Sequence, residues 1–249
     1  MTDAANDAQL VRDGERSGKA FLSLTASLIL LFASASALSH STVVAQVEPG
    51  DNGGRCDVIS PTPEELCNVD GGLKDAFTLA ERIAAAANPS SGERLGAVVR
   101  ERQVRVEWYP DSAPLRAGVM GVYRSGDRII WMAPGLRNEP LRARASILAH
   151  ELAHASWDLD ALGNGLAPVQ ACMNNEVRAY RWGLIVYEQA IRETGEPEQP
   201  NGESDKYLAE QLDRWRRGSG GSQLKPEALD DLARNFLFQN GYADRCAWA

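Results

Sequence analysis

His150-Glu151-Leu152-Ala153-His154 places two imidazoles four residues apart, with a carboxylate next to the first. On a helix, residues four apart stack on one face, a spacing that suits a single Zn²⁺ ion. Glu151 lies one position round from His150, beside such an ion, where it can take a proton from bound water. The plain alternative is two histidines that happen to share a helix face. The histidine count argues against it. The chain has three, and the third, His40, lies next to an apolar segment with the features of an export signal. Removal of residues 1–45 would leave only His150 and His154.

Positioning this pair is the task of a helix. The segment Leu141 to Trp157 reads as one amphipathic helix, with Asn138 as its cap and Pro140 in the first turn, where a missing N–H does no harm. It should end before Gly163 and Gly165, and Pro168 should open the next helix, which runs to about Ile191. In that second helix Met173, Val177, Tyr180, Leu184 and Tyr187 follow core spacing. A second stripe, Cys172, Glu176, Ala179, Gly183 and Ala190, is small apart from one carboxylate. Small side chains let another helix approach closely, which would leave Glu176 partly buried and in need of a cation or strong donors. Glu176 is therefore a candidate metal ligand; a salt bridge to Arg178 or Arg181 is the alternative.

Around these two helices the fold class expected is α+β. A helix is predicted from about Leu73 to Ala87, with Leu73, Phe77, Ala80, Ile83, Ala84 and Ala87 on one face. A strand follows over Val104–Tyr109. Gly118–Tyr123 and Arg128–Met132 form a hairpin through Arg124-Ser125-Gly126-Asp127. The expectation is a short, antiparallel-rich sheet packed on the histidine helix. Past a polar loop ending near Ser204 come helices at about Asp205–Arg217 and Pro226–Gln239, with Asn240-Gly241 as a C-cap. The organisation reads as 1–45 signal or anchor, 46–72 a linker, and 73–249 one domain, whose core is 73–192 and whose C-terminal part, 193–249, is helical.

The formal net charge is −8. Residues 1–45 hold four acids and three bases, so their loss leaves −8 + 4 − 3 = −7. An acidic chain argues against a nucleic-acid partner, which would need a basic patch. From Ala20 to Val47 no residue is charged, and Arg12, Arg16 and Lys19 precede the run. This is either a cleaved signal, with small residues at Ala35-Ser36-Ala37 and Val43-Val44-Ala45, or an uncleaved tether through 20–47. A buried globular helix is the third reading, disfavoured because the run has no polar face. Export fits the cysteines: Cys56, Cys67, Cys172 and Cys246 make two disulfides in an oxidising compartment. The expected pairing is Cys56–Cys67 and Cys172–Cys246.

His150-Glu151-x-x-His154 followed by Asn175-Glu176-x-x-Ala179 resembles the gluzincin group of zinc metallopeptidases over roughly residues 73–192. That group pairs a His-Glu-x-x-His helix with a glutamate about twenty residues on, often after Asn; here the interval is 22 residues. The resemblance implies a small zincin-like domain, zinc held by His150, His154 and Glu176, and Glu151 as general base. It implies hydrolysis of a peptide or protein substrate, lying extended along the edge strand of the sheet ahead of the helix. The chain departs from the group at two points. Tyr180 stands where many members have an Asp that supports a ligand histidine. No downstream histidine remains to stabilise the tetrahedral intermediate, leaving Tyr180, Tyr187 or an arginine. Rival third ligands are Asp160, at the metzincin spacing, Asp158, and Cys172 as a free thiol. The expectation is an exported zinc peptidase; the alternative is a non-catalytic zinc-binding or structural module that keeps the gluzincin shape.

Overall fold

A computed structural model describes residues 66–87, 95–101, 103–111, 118–160, 168–196, 199–218, 226–239 and 241–247. The candidate signal or anchor and Cys56 lie outside these residues. Among the described residues no helix is long and apolar enough to cross a membrane.

The described residues are mixed α+β and mostly helical, with one three-stranded sheet. A 3-10 turn at Gly71–Leu73 leads into α1 (Lys74–Ala87), and a short α2 (Ala97–Arg100) precedes β1 (Arg105–Trp108). The face predicted for α1 is buried at Leu73, Phe77, Ala80, Ile83 and Ala84, while Ala87 is exposed. The expected hairpin forms as β2 (Gly121–Arg124) and β3 (Ile129–Met132), with Arg128 at φ 53° closing the turn. Then come the histidine helix α3 (Leu141–Asp160), α4 (Pro168–Glu193), α5 (Glu203–Gly218), α6 (Pro226–Gln239) and α7 (Tyr242–Ala247).

Four expectations need correction. The sheet is not antiparallel-rich: its order is β1-β3-β2, with β1 parallel to β3 and β2 antiparallel to β3. The second strand of the hairpin therefore lies in the middle of the sheet. Residues 66–72 are not linker. Leu66 and Val69 are buried, Val69 bridges Val106 in parallel, and Asn68 Nδ2 donates to the carbonyls of Val99 and Val104. Asn138 does not cap α3, because it ends a separate 3-10 turn, Pro134–Asn138. The first free N–H groups of α3, at Leu141 and Arg142, instead donate to the Glu196 carboxylate beyond the end of α4, at 2.8 and 3.3 Å. Finally, α3 is not amphipathic. From Arg142 to Ser156 every residue except Arg144 is buried, because α1, α4 and the sheet close round it. A helix buried on all sides is a core helix, and the run of alanines lets its neighbours approach.

α3 and α4 form the central pair, and the small stripe of α4 is their seam. An alanine Cβ at Gly183 would sit 3.4 Å from the Ser146 carbonyl and 3.6 Å from His150 Cβ. Ser146 Oγ closes the seam by donating to the Gly183 carbonyl at 2.8 Å. The helical C-terminal part packs on the far side of α4, where Cys172 and Cys246 are bonded as expected. Cys67 is disulfide-bonded too.

Candidate metal centre

The helical spacing does what the sequence requires of it. His150 and His154 stack on α3 with their Nε2 atoms 3.1 Å apart. The antiparallel seam brings Glu176 of α4 to them, with Oε2 3.9 Å from His154 Nε2. One ligand atom from each of the three lies within 4.8 Å of the others, so this buried cluster could hold a metal ion. Ligands about 2.0–2.1 Å from a tetrahedral ion sit roughly 3.3 Å apart. The two imidazole nitrogens already stand near that separation, at 3.1 Å, and Glu176 Oε2 has to close in on His154 from 3.9 Å. Burial is nearly complete: His150 is 2%, Glu151 1%, His154 3% and Glu176 5% exposed.

Electrostatics favour a cation. Burial, then the neighbouring His154, hold the His150 ring well below its ordinary pKa, which favours the neutral form that a metal ligand requires. Burial, then the charge of Glu176, push the Glu151 carboxyl up to about 8, against the opposing pull of a backbone hydrogen bond from Tyr123. Two carboxyl groups crowded in one dry site repel each other's ionisation, and a divalent ion between the ligands relieves that.

The support for the histidines is visible only in three dimensions. His150 hydrogen-bonds to the backbone of Ala179, which fixes the ring with Nε2 towards His154. A metal-ligating histidine commonly donates its second nitrogen to a carboxylate or a carbonyl; here a carbonyl of α4 takes the part. Tyr180 packs edge-to-face on His150, ring centroids 5.1 Å apart, and its hydroxyl meets that of Tyr242 at 3.2 Å. His154 differs: its Nδ1 is buried with no hydrogen-bond partner, as is Asn175 Oδ1.

Other candidates are engaged elsewhere. Arg178 donates to Ser156 Oγ and lies over Trp157, and Arg181 pairs with Asp230 at 3.1 Å. Tyr187 donates to Asp205, at 2.7 Å, away from the histidines. Cys172 is consumed by its disulfide and is no thiolate ligand. α3 continues through Asp160 without a turn at Trp157; the side chains of Asp158 and Asp160 lie outside the described residues. Two groups escaped the sequence reading, the Ala179 carbonyl and the Tyr123 N–H, which donates to Glu151 Oε2 at 2.8 Å. Both are backbone, so no residue type announces them.

No family model, no curated protein and no solved structure matches the chain. The resemblance to gluzincins rests on the sequence motif alone.

Proposed function

We propose that the protein is an exported zinc-dependent peptidase with a zincin-like domain, in which His150, His154 and Glu176 hold the metal and Glu151 is the general base. The observation that carries this reading is the convergence of the three ligands with Glu151 on the same turn of α3 as His150. Two imidazoles and one carboxylate are the donor set of a catalytic zinc that keeps a position open. Zinc so held supplies Lewis-acid polarisation of a carbonyl and acidifies water to a pKa of about 7. Glu151 takes the proton as water attacks the peptide carbonyl, then passes it to the leaving amine. A peptide or protein substrate is the expected partner, as the resemblance implies; the outward N–H of Tyr123 on β2 is itself taken by Glu151.

Metal analysis of the full chain, with cleavage of a denatured protein, tests the proposal. One zinc per chain is expected, lost in His154→Ala and Glu176→Ala. Glu151→Gln should keep the zinc and lose hydrolysis by 100-fold or more, on the order of the general-base contribution. Zinc near zero, with the ligand variants indistinguishable from wild type, would sink the reading. A second reading, a zinc-binding module without turnover, is favoured by one observation: none of the four site residues is more than 5% exposed. Under it Glu151→Gln changes no activity.

A further inference from the structure

Glu151 is held by the sheet as well as by its own helix, and we infer that β2 is the positioning strand of the general base. The inference rests on the catalytic role proposed for Glu151. In the β2–β3 ladder, Ala133 N–H donates to the Met120 carbonyl, and Val122 and Arg124 are partnered with Trp131 and Ile129. The alternation of an antiparallel pair then turns the N–H groups of Gly121 and Tyr123 away from β3, onto the open edge. Such groups ordinarily face solvent or an added strand. Here the Tyr123 N–H donates to Glu151 Oε2 at 2.8 Å, in a buried contact.

Gly121 is what permits the approach. A Cβ at position 121 would lie 2.9 Å from Glu151 Cγ, 3.0 Å from Oε1 and 3.2 Å from Cδ. All three atoms belong to the Glu151 side chain and none to backbone, so a methyl group there is accommodated by moving Glu151. A substitution at Gly121 thus presses first on the Glu151 side chain. Oε2 is fixed by the strand. Gly121 and the Tyr123 N–H touch neither metal nor substrate in this role; they act through Glu151.

Amide hydrogen exchange at Tyr123 and steady-state kinetics on the full chain test the inference together. The Tyr123 amide should be protected in wild type and in Glu151→Gln, which keeps an acceptor oxygen. It should exchange at least tenfold faster in Glu151→Ala. An unchanged rate in Glu151→Ala overturns the proposal, and this measurement needs neither metal nor activity. Gly121→Ala should lower kcat by about 10- to 100-fold, as expected for an ångström-scale misplacement, with KM and zinc content unchanged. In a Glu151→Ala background it should cause no further loss. A Gly121→Ala protein that melts lower but keeps its kcat would show a merely structural glycine and reject the idea. If wild type cleaves nothing, the peptidase reading fails, and the Tyr123 amide rates still decide whether the strand holds Glu151.

Discussion

Gly183 faces Ser146 and the candidate ligand His150 across the α3–α4 seam, and its surroundings set how much side chain the seam tolerates. An alanine Cβ would meet the Ser146 carbonyl and His150 Cβ at 3.4 and 3.6 Å, ordinary contact distances. Gly183→Ala should therefore raise stability by about 0.5–1 kcal/mol, because glycine is a poor helix residue, and leave zinc affinity unchanged. Gly183→Val adds branches that must enter the space held by Ser146 and His150. Overpacking of that kind costs about 1–3 kcal/mol, and the shift of α4 should carry Glu176 and the Ala179 carbonyl away from the histidines. Urea titration and competition against a zinc chelator distinguish the two; a valine variant with wild-type affinity would show that the seam does not set the site. At this scale the sequence was informative wherever a side chain carries the chemistry. His150, His154 and Glu176 were legible from spacing and from one carboxylate in a stripe of small residues. What fixes His150 was not, since every residue has a carbonyl and only the seam decides which one is in reach.

Helices α3, α4 and α5 are locked together by a buried ion pair that periodicity could not reveal. Arg142, at the start of α3, donates from Nε to Asp205 Oδ1 at 2.8 Å, and both side chains are almost wholly buried. Tyr187 Oη and the Asn201 N–H also donate to that carboxylate. Burial alone would push the Asp205 carboxyl up, but the hydrogen bonds from Arg142, Asn201 and Tyr187 outweigh it and hold the group below its ordinary value. A depressed folded pKa adds stability above the unfolded value of about 3.9, and that stability is lost as pH falls through the folded one. Asp205→Ala should cost about 3–5 kcal/mol at neutral pH, because Arg142 is left buried and uncompensated. The gap between wild type and variant should stay constant above pH 5 and shrink below pH 4, as thermal unfolding across pH will show. A gap that widens in acid would contradict the assignment. Tyr187 reads from sequence as core, or as one candidate to stabilise the intermediate, and Asp205 as the first residue of a helix. Their joint role appears only when α5 docks at the N-terminal end of α3. The same holds for the cap of α3, where a local Asn138 looked sufficient and the distant Glu196 does the work.

For the whole molecule, the site sits between a sheet on one side and a helical layer on the other, and one covalent link ties that layer down. Cys172 lies one turn before Glu176 on α4, and its partner Cys246 is on α7, 74 residues away. The bridge holds Tyr242 of α7 near Tyr180, whose ring packs on His150. The pairing could be read from the even number and the spacing of the cysteines, but α7 could not, because six residues are too few to show a helical period. Constraining a loop of this length in the unfolded chain stabilises the fold by up to about 4 kcal/mol, and such bridges persist in oxidising compartments. The double variant Cys172→Ala/Cys246→Ala should therefore lose about 2–4 kcal/mol in a urea titration, in line with other native disulfides. Zinc stoichiometry should stay at that of wild type under native conditions, because neither sulfur is among the ligands. The helical layer meets the candidate site through Tyr242 against Tyr180 and through Tyr207 and Gln211, which line the same space as His150, and it supplies none of the three candidate ligands; any weakening of zinc affinity should therefore be smaller than that of Glu176→Ala. A variant that folds with wild-type stability yet binds no zinc would reverse this assignment and make Cys172 a ligand in place of Glu176.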